Sequence, residues 1–322
     1  MPDPLVQNPD RIRLAMLGMV DGNGHPFSWS AIINGRYDAQ RMAECGYPVI
    51  PQYLGAQPPG ALGIEGASVT HVWCDDPEDA RRVAEATHIE HVVAEPEDVL
   101  GQVDAVVIPT DIGGEHVARA RRFVEAGLPV FVDKPMVDNA EDLATFDRWH
   151  RGGAHVLSTS AMRYAAEFRE LRDRLHQVGE TRLITCTMAK SWERYGIHAL
   201  EAVYGLLPPG GWRSVRHGGD AERNIVHARH ANGVEVVIAV IHDLYGGFGC
   251  VDVFGTEGRI GARFTDSFSS FKRQLIAFVE YLRSGDRPVP WQETLEQMGI
   301  IIAALRSRAE HGRTIELKNV HA

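Results

Sequence analysis

The sequence is poor in the features that would mark several common protein classes. Its four cysteines, Cys45, Cys74, Cys186 and Cys250, lie far apart and form no CxxC pair. That excludes a disulfide frame or a zinc cluster and fits thiols of a reducing cytosol. No Lys/Arg block stands out, and 33 basic against 43 acidic residues give a formal net charge of -10. A nucleic-acid or anionic-membrane partner is therefore not expected. No run approaches the roughly 18 apolar residues of a membrane span. The first ten residues have neither the basic nor the apolar region of a signal peptide, so a cytoplasmic protein is expected. Fifteen histidines are many, yet none stands in an H-x-x-x-H or similar ligand spacing. A His198/Glu201/His242 set is the one metal grouping that strand alternation allows, and no metal is expected.

What remains is an ordinary globular composition, 44% hydrophobic and 24% charged in 322 residues, long enough for two domains. The chain is organised around residues 127–136. A helical run over 115–126 stops at Gly127, a short apolar strand covers 130–132, and Asp133-Lys134-Pro135 follows. A strand end that presents a lysine beside an acid, stiffened by proline, suits proton donation or carbonyl polarisation.

Around this stretch helix and strand alternate. Strands are expected at 11–18, 69–75, 89–93, 103–110 and 155–160, with helices at 28–33, 77–86 and 139–151. Ser28 is the expected N-cap of the first helix. The pattern predicts a Rossmann-like, doubly wound parallel sheet over residues 1–160. The glycines at 18, 22 and 24 depart from G-x-G-x-x-G, and Pro26 has no N–H to offer a phosphate. Residues 34–68 are too rich in proline and glycine for a plain helix. They form either an excursion packed on their own domain, or a lid over the crevice or an oligomer contact. From 161 to 322 strands dominate, at 183–189, 224–231, 234–241, 251–254 and 259–263, with Asn232-Gly233 as a hairpin turn. Helices at 269–284 and 294–311 complete an α+β domain with an open, largely antiparallel sheet.

The order helix, glycine, strand, acid-Lys-Pro resembles the Gfo/Idh/MocA oxidoreductases, the glucose-fructose oxidoreductase and inositol dehydrogenase family, where Glu-Lys-Pro is usual and Asp133 a conservative departure. Pro109-Thr110 followed by His116, and the crossover Ala161-Met162-Arg163-Tyr164, resemble the same family. So does Gly196-x-His198-x-x-Glu201, although Arg194 stands where the family's histidine-partner acid would fall. The resemblance implies an NAD(P)-dependent oxidoreductase acting on a sugar, cyclitol or related polyol, with Lys134 and His198 in proton transfer. It implies cofactor contacts at Gly18, Gly22, Gly24, Asp75, Pro109, Thr110, Asp133 and Lys134. Asp75, as the ribose-binding acid, would favour NAD over NADP. Substrate contacts are expected at Arg163, Tyr164, Lys190, Glu193, Arg194 and Tyr195, with Trp192 as a stacking or core aromatic. His116 is expected to be structural. A homo-oligomer through the C-terminal sheet is implied as well. Two alternatives stay open: a redox-neutral lyase, hydrolase or epimerase on this scaffold, using retained NAD or a metal, and a non-catalytic ligand sensor.

Overall fold

The computed structural model describes residues 3–317. Its first half runs β1 (Ile12–Leu17), α1 (His25–Asn34), α2 (Ala39–Ala43), α3 (Val49–Gly55), β2 (Ala67–Trp73), α4 (Pro77–Thr87) and β3 (His91–Val92). It continues with β4 (Ala105–Ile108), α5 (His116–Glu125), β5 (Val130–Val132), α6 (Ala140–Arg151) and β6 (Val156–Leu157). The six strands form one parallel sheet in the order β3-β2-β1-β4-β5-β6. β4 and β5 are buried at every residue, as continuous apolar strands covered on both faces must be. The chain reverses direction across the sheet between β1 and β4. That switch point opens a crevice at the carboxyl ends of the strands.

The second half runs α7 (Ala166–Asp173), β7 (Thr181–Ala189), α8 (Trp192–Tyr204), β8 (Trp212–Gly219), β9 (Arg223–His230) and β10 (Glu235–Ile241). Then come β11 (Cys250–Gly255), β12 (Arg259–Arg263), α9 (Ser267–Ser284), α10 (Trp291–Ala309) and β13 (Ile315–Glu316). The strands order as β12-β11-β7-β10-β9-β8-β13. Every pairing is antiparallel except β7 with β10, so the sheet is mixed but largely antiparallel, as expected. Asn232-Gly233 does turn β9 into β10, with Gly233 at φ 87 and the Asn232 side chain accepting from Val234 N at 3.1 Å.

The local detail sharpens or corrects several expectations. Ser28 is not a cap but a buried residue inside α1, which begins at His25 with Gly24 as N-cap. Pro26 sits in the first turn, where its missing N–H leaves no bond unmade, so the helix starts earlier than the serine suggested. Residues 34–68 contain two short helices, whose Met42, Ile50 and Leu54 join the core around β1. β8 and α7 were not anticipated. By its packing, α9 belongs to the first sheet: Leu275, Phe278, Val279 and Leu282, at helical spacing, share a core with Leu14, Ile32 and Phe131.

Candidate active site

Lys134 leaves the end of β5 at the floor of the crevice, only 2% exposed. Its Nζ donates to Asp111 Oδ2 at 3.3 Å and lies 3.8 Å from Asp133 Oδ2. Asp133 is fully buried, with His25 Nδ1 at 2.9 Å and Asn23 Nδ2 at 3.4 Å from Oδ2. Arg194, reaching across from α8, grips Asp111 with two donors, Nη2 at 2.6 Å and Nε at 3.0 Å. The same guanidinium donates to the carbonyl of Asp21 in the glycine loop at 3.1 Å. Two cations thus balance two carboxylates, the condition under which buried charges persist.

Burial alone would push the Lys134 ammonium down, but Asp133 and Asp111 outweigh it and raise its pKa. Burial pushes the Asp111 carboxyl up, yet Lys134 and Arg194 prevail and hold it well below the usual carboxylate range. At neutral pH the lysine is an ammonium that can donate a proton or polarise a carbonyl. Asp111 had no assigned role in the sequence. Its signal was its place, directly after Pro109-Thr110 where β4 meets the switch point.

A cavity of about 530 Å³ opens above Lys134. Gly22, Asn23, Gly24 and His25 form one rim, Tyr47, Ile50 and Tyr53 of the 34–68 segment another, and Lys190, Tyr195, Phe248 and Phe271 the side from the second half of the chain. The Tyr195 ring lies near two ammonium groups, 5.2 Å from Lys134 Nζ and 4.4 Å from Lys190 Nζ. Lys190 also donates to the Tyr195 hydroxyl at 2.6 Å. Its backbone is left-handed, φ 70, a conformation that costs a non-glycine residue on the order of 1 kcal/mol.

The other expected site residues divide. His198 is buried, with Nδ1 2.6 Å from Ser160 Oγ, and does not line the cavity; the Tyr195 ring packs on it at 5.0 Å. Burial, then the Lys134 charge, lower its pKa well below the ordinary value, so it is neutral at pH 7. Arg163 and Tyr164 do not reach the cavity. Arg163 pairs with Glu201 and Glu293, and the Tyr164 hydroxyl is buried, its pKa pushed up to about 12 by that burial. Glu193 turns away to Arg308. Trp192 is core, with Nε1 donating to Ile301 O at 3.2 Å. His116 is structural as expected, its ring held between the Met136 and Thr110 carbonyls. His242 lies exposed beside Glu222, away from Glu201, because it falls past the end of β10.

The glycine loop offers a dinucleotide an uneven site. Gly18, φ 106, ends β1 with its bare α-carbon against the Arg119 guanidinium: an added Cβ would sit 3.1 Å from Nη1 and 2.9 Å from Thr110 Cγ2. A cation over the first glycine suits a pyrophosphate. Arg119 is held there by Asp75, with bonds of 3.1 and 2.9 Å, and by Glu115 at 2.9 Å. The N-terminus of α1 contributes less. His25 N is taken by Asn23 Oδ1 at 2.9 Å, Pro26 has no N–H, and Tyr47 and Ile50 pack over Gly24. Gly18, Asp75, Pro109, Thr110 and Arg119 are the residues that fit a dinucleotide.

Residues 52–151 match the Gfo/Idh/MocA family model, described as an oxidoreductase family with an NAD-binding Rossmann fold. The resemblance to that family is borne out. No curated protein matches the sequence. Among solved structures, a scyllo-inositol dehydrogenase from Lactobacillus casei is similar with a TM-score of 0.74 at 12% identity, over 97% of this chain and 100% of the other. A myo-inositol dehydrogenase from Corynebacterium glutamicum gives 0.69 at 19% identity, over 95% and 99%. An oxidoreductase from Agrobacterium radiobacter, solved with NAD+, L-tartaric acid and magnesium, gives 0.71 at 14% identity, over 96% and 99%. At these identities the likeness is one of fold, and it extends from the Rossmann-like half through the mixed sheet.

Proposed function

We propose that the protein is an NAD(P)-dependent oxidoreductase that interconverts a hydroxyl and a keto group on a small molecule. The observation that carries this is a protonated lysine, paired with two carboxylates, on the floor of a cavity at the switch point of a family-type Rossmann sheet. Gly18, Asp75, Pro109, Thr110 and Arg119 would hold the dinucleotide, which would supply hydride chemistry at the substrate carbon. Lys134 donates its proton to the substrate oxygen in reduction; the raised pKa of its ammonium favours that direction, and oxidation requires the scarce neutral amine to take the proton back. Tyr195, beside the two ammonium groups, orients the substrate oxygen. His198 supports Tyr195 from behind as a neutral positioning residue. Arg194 holds Asp111, and through it Lys134, to the glycine loop.

Asp75 favours NAD over NADP in this reading, although its pairing with Arg119 leaves less free charge to repel a 2′-phosphate. The inositol dehydrogenases among the structural relatives support a sugar or cyclitol as one substrate class. A homo-oligomer through the uncovered face of the second sheet, where Ile225 is 38% exposed, is expected and is checked by sedimentation. No helix among the described residues is long and apolar enough to cross a membrane, and a cytoplasmic enzyme with free thiols is expected.

The deciding experiment is titration of the purified protein with NAD, NADH, NADP and NADPH after assay for retained cofactor. Micromolar binding, tighter for the NAD pair, supports the reading. The covering of Gly24 by Tyr47 and Ile50 favours a second reading, a redox-neutral enzyme or ligand sensor, and failure to bind any form selects it.

A further inference from the structure

A polyhydroxylated ring is recognised by side chains with unspent donors and acceptors. In this cavity several of them are already committed to one another. Both oxygens of Asp111 are taken by Arg194 and Lys134. Asn23 spends its amide on the Pro109 carbonyl at 2.9 Å and its oxygen on His25 N at 2.9 Å. Thr265 gives its hydroxyl to Glu167 at 2.7 Å. A ring bearing many hydroxyls would leave them without partners when it lost water.

The walls offer something else. Tyr53, Tyr245, Phe248, Phe264 and Phe271 come from four separate segments and face one space with Ile50. Tyr245, at the mouth, is 59% exposed, although a large aromatic gains most by being covered. Lys190 is the second cation of the cavity, and among the described residues it has no carboxylate partner; its one bond is to the Tyr195 hydroxyl. A left-handed backbone turns it inward regardless. A free ammonium beside an apolar, ring-lined space selects an anion joined to a ring.

We propose that the substrate is an aromatic carboxylate: an aryl-substituted hydroxy or keto acid, its carboxylate on Lys190, its reacting oxygen on Lys134 and its ring among the aromatic walls. This rests on the oxidoreductase reading only for the fate of the reacting oxygen. The recognition of ring and carboxylate stands on the cavity alone.

The test is calorimetric titration of the full chain with 3-phenyllactate, lactate, 3-phenylpropane-1,2-diol and myo-inositol, each with and without saturating NAD. Phenyllactate is expected to bind at least about tenfold tighter than each of the other three, one lacking the ring, one the carboxylate and one both. Lys190→Met should remove the advantage over the diol. Tyr245→Ala, at an exposed position where folding is not at stake, should reduce the advantage over lactate, and Phe271→Ala should reduce it further. Equal or tighter binding of myo-inositol, or no binding of phenyllactate in either condition, overturns the proposal. Binding of NAD is followed separately by fluorescence. If phenyllactate binds and no dinucleotide does, the oxidoreductase reading fails while this one stands; the converse pattern rejects this one alone.

Discussion

Two buried ion clusters lie on either side of Tyr195 and His198, and they differ in what they face. In the first, Lys134 and Arg194 balance Asp111 and Asp133, and Lys134 and Asp111 border the cavity. In the second, Arg163 pairs with Glu201 and Glu293, while Glu201 also accepts from Ser160 N at 3.2 Å and Gln297 Nε2 at 3.2 Å. The second cluster ties the crossover to α8 and α10. Both are largely buried and hydrogen-bonded, although the first balances two cations with two carboxylates and the second sets one cation against two. Access separates them by degree: the first borders the cavity of about 530 Å³, the second only a pocket of about 90 Å³, and a charged network does chemistry only where a reacting atom can reach it.

The largest expected effect breaks the first cluster. Lys134→Ala should lower turnover by about 10²–10⁴-fold, the usual worth of a positioned proton-transfer group. The fold should survive with reduced stability: Arg194 still holds Asp111, and His25 and Asn23 still hold Asp133 Oδ2, but the buried Asp133 loses the Lys134 charge. Circular dichroism and a denaturant curve beside the steady-state assay check both halves. Full activity in the variant would remove Lys134 from the chemistry. The matching change in the second cluster, Glu201→Ala, should do the reverse. It strands part of the Arg163 charge and should cost about 3 kcal/mol of stability. The turnover of the remaining folded protein should stay near that of the parent, and a large fall in it would mean the clusters are one machine.

A smaller effect is expected where a cation substitutes for missing backbone donors. Arg119→Ala should weaken dinucleotide binding by about 10–100-fold, the worth of a charged hydrogen bond. It also frees Asp75, so the loss should be greater for NADP than for NAD. Fluorescence titration of the two cofactors measures both. An unchanged affinity would shift the anchor to the half-spent N-terminus of α1.

The contrast between clusters also marks how far the sequence was readable. Alternation of helix and strand, the glycine stop at Gly127 and the Asn232-Gly233 turn rest on local rules, and the chain obeys them. The acid-Lys-Pro stretch was legible for the same reason: a strand end fixes where its next side chain points. A motif carries residue identity but not side-chain direction: Arg163 and Glu193, expected as substrate contacts, turn instead toward Glu201 and Glu293 and toward Arg308, partners 38 to 130 positions away. Asp111 had no motif of its own, since Arg194 becomes its partner only when α8 docks across the crevice. The aromatic wall drew on segments too far apart in sequence for any spacing to join them. β8, with exposed arginines and a glycine pair at its end, lacked the apolar run that revealed its neighbours.

The smallest expected effect concerns pH and tests whether His198 is a silent support. Its folded pKa lies well below the unfolded value of about 6.5, because burial and the Lys134 charge oppose protonation. A group depressed in this way stabilises the fold fully above the unfolded pKa. That contribution is lost as pH falls from about 6.5 toward the folded pKa, at no more than about 1.4 kcal/mol per pH unit for one proton. His198→Gln keeps a hydrogen-bond partner for Ser160 but cannot take the proton. Denaturant curves between pH 7.5 and pH 5 should therefore show a shallower acid loss in the variant, with stability at pH 7.5 little changed. Other histidines with lowered values, His71, His116 and His217 among them, keep part of the slope, so it should flatten without vanishing. The pH dependence of turnover should move little if His198 only positions Tyr195. If instead the alkaline or acid limb of kcat disappears with the histidine, then His198 exchanges a proton with the substrate, and Tyr195 must move aside to let it.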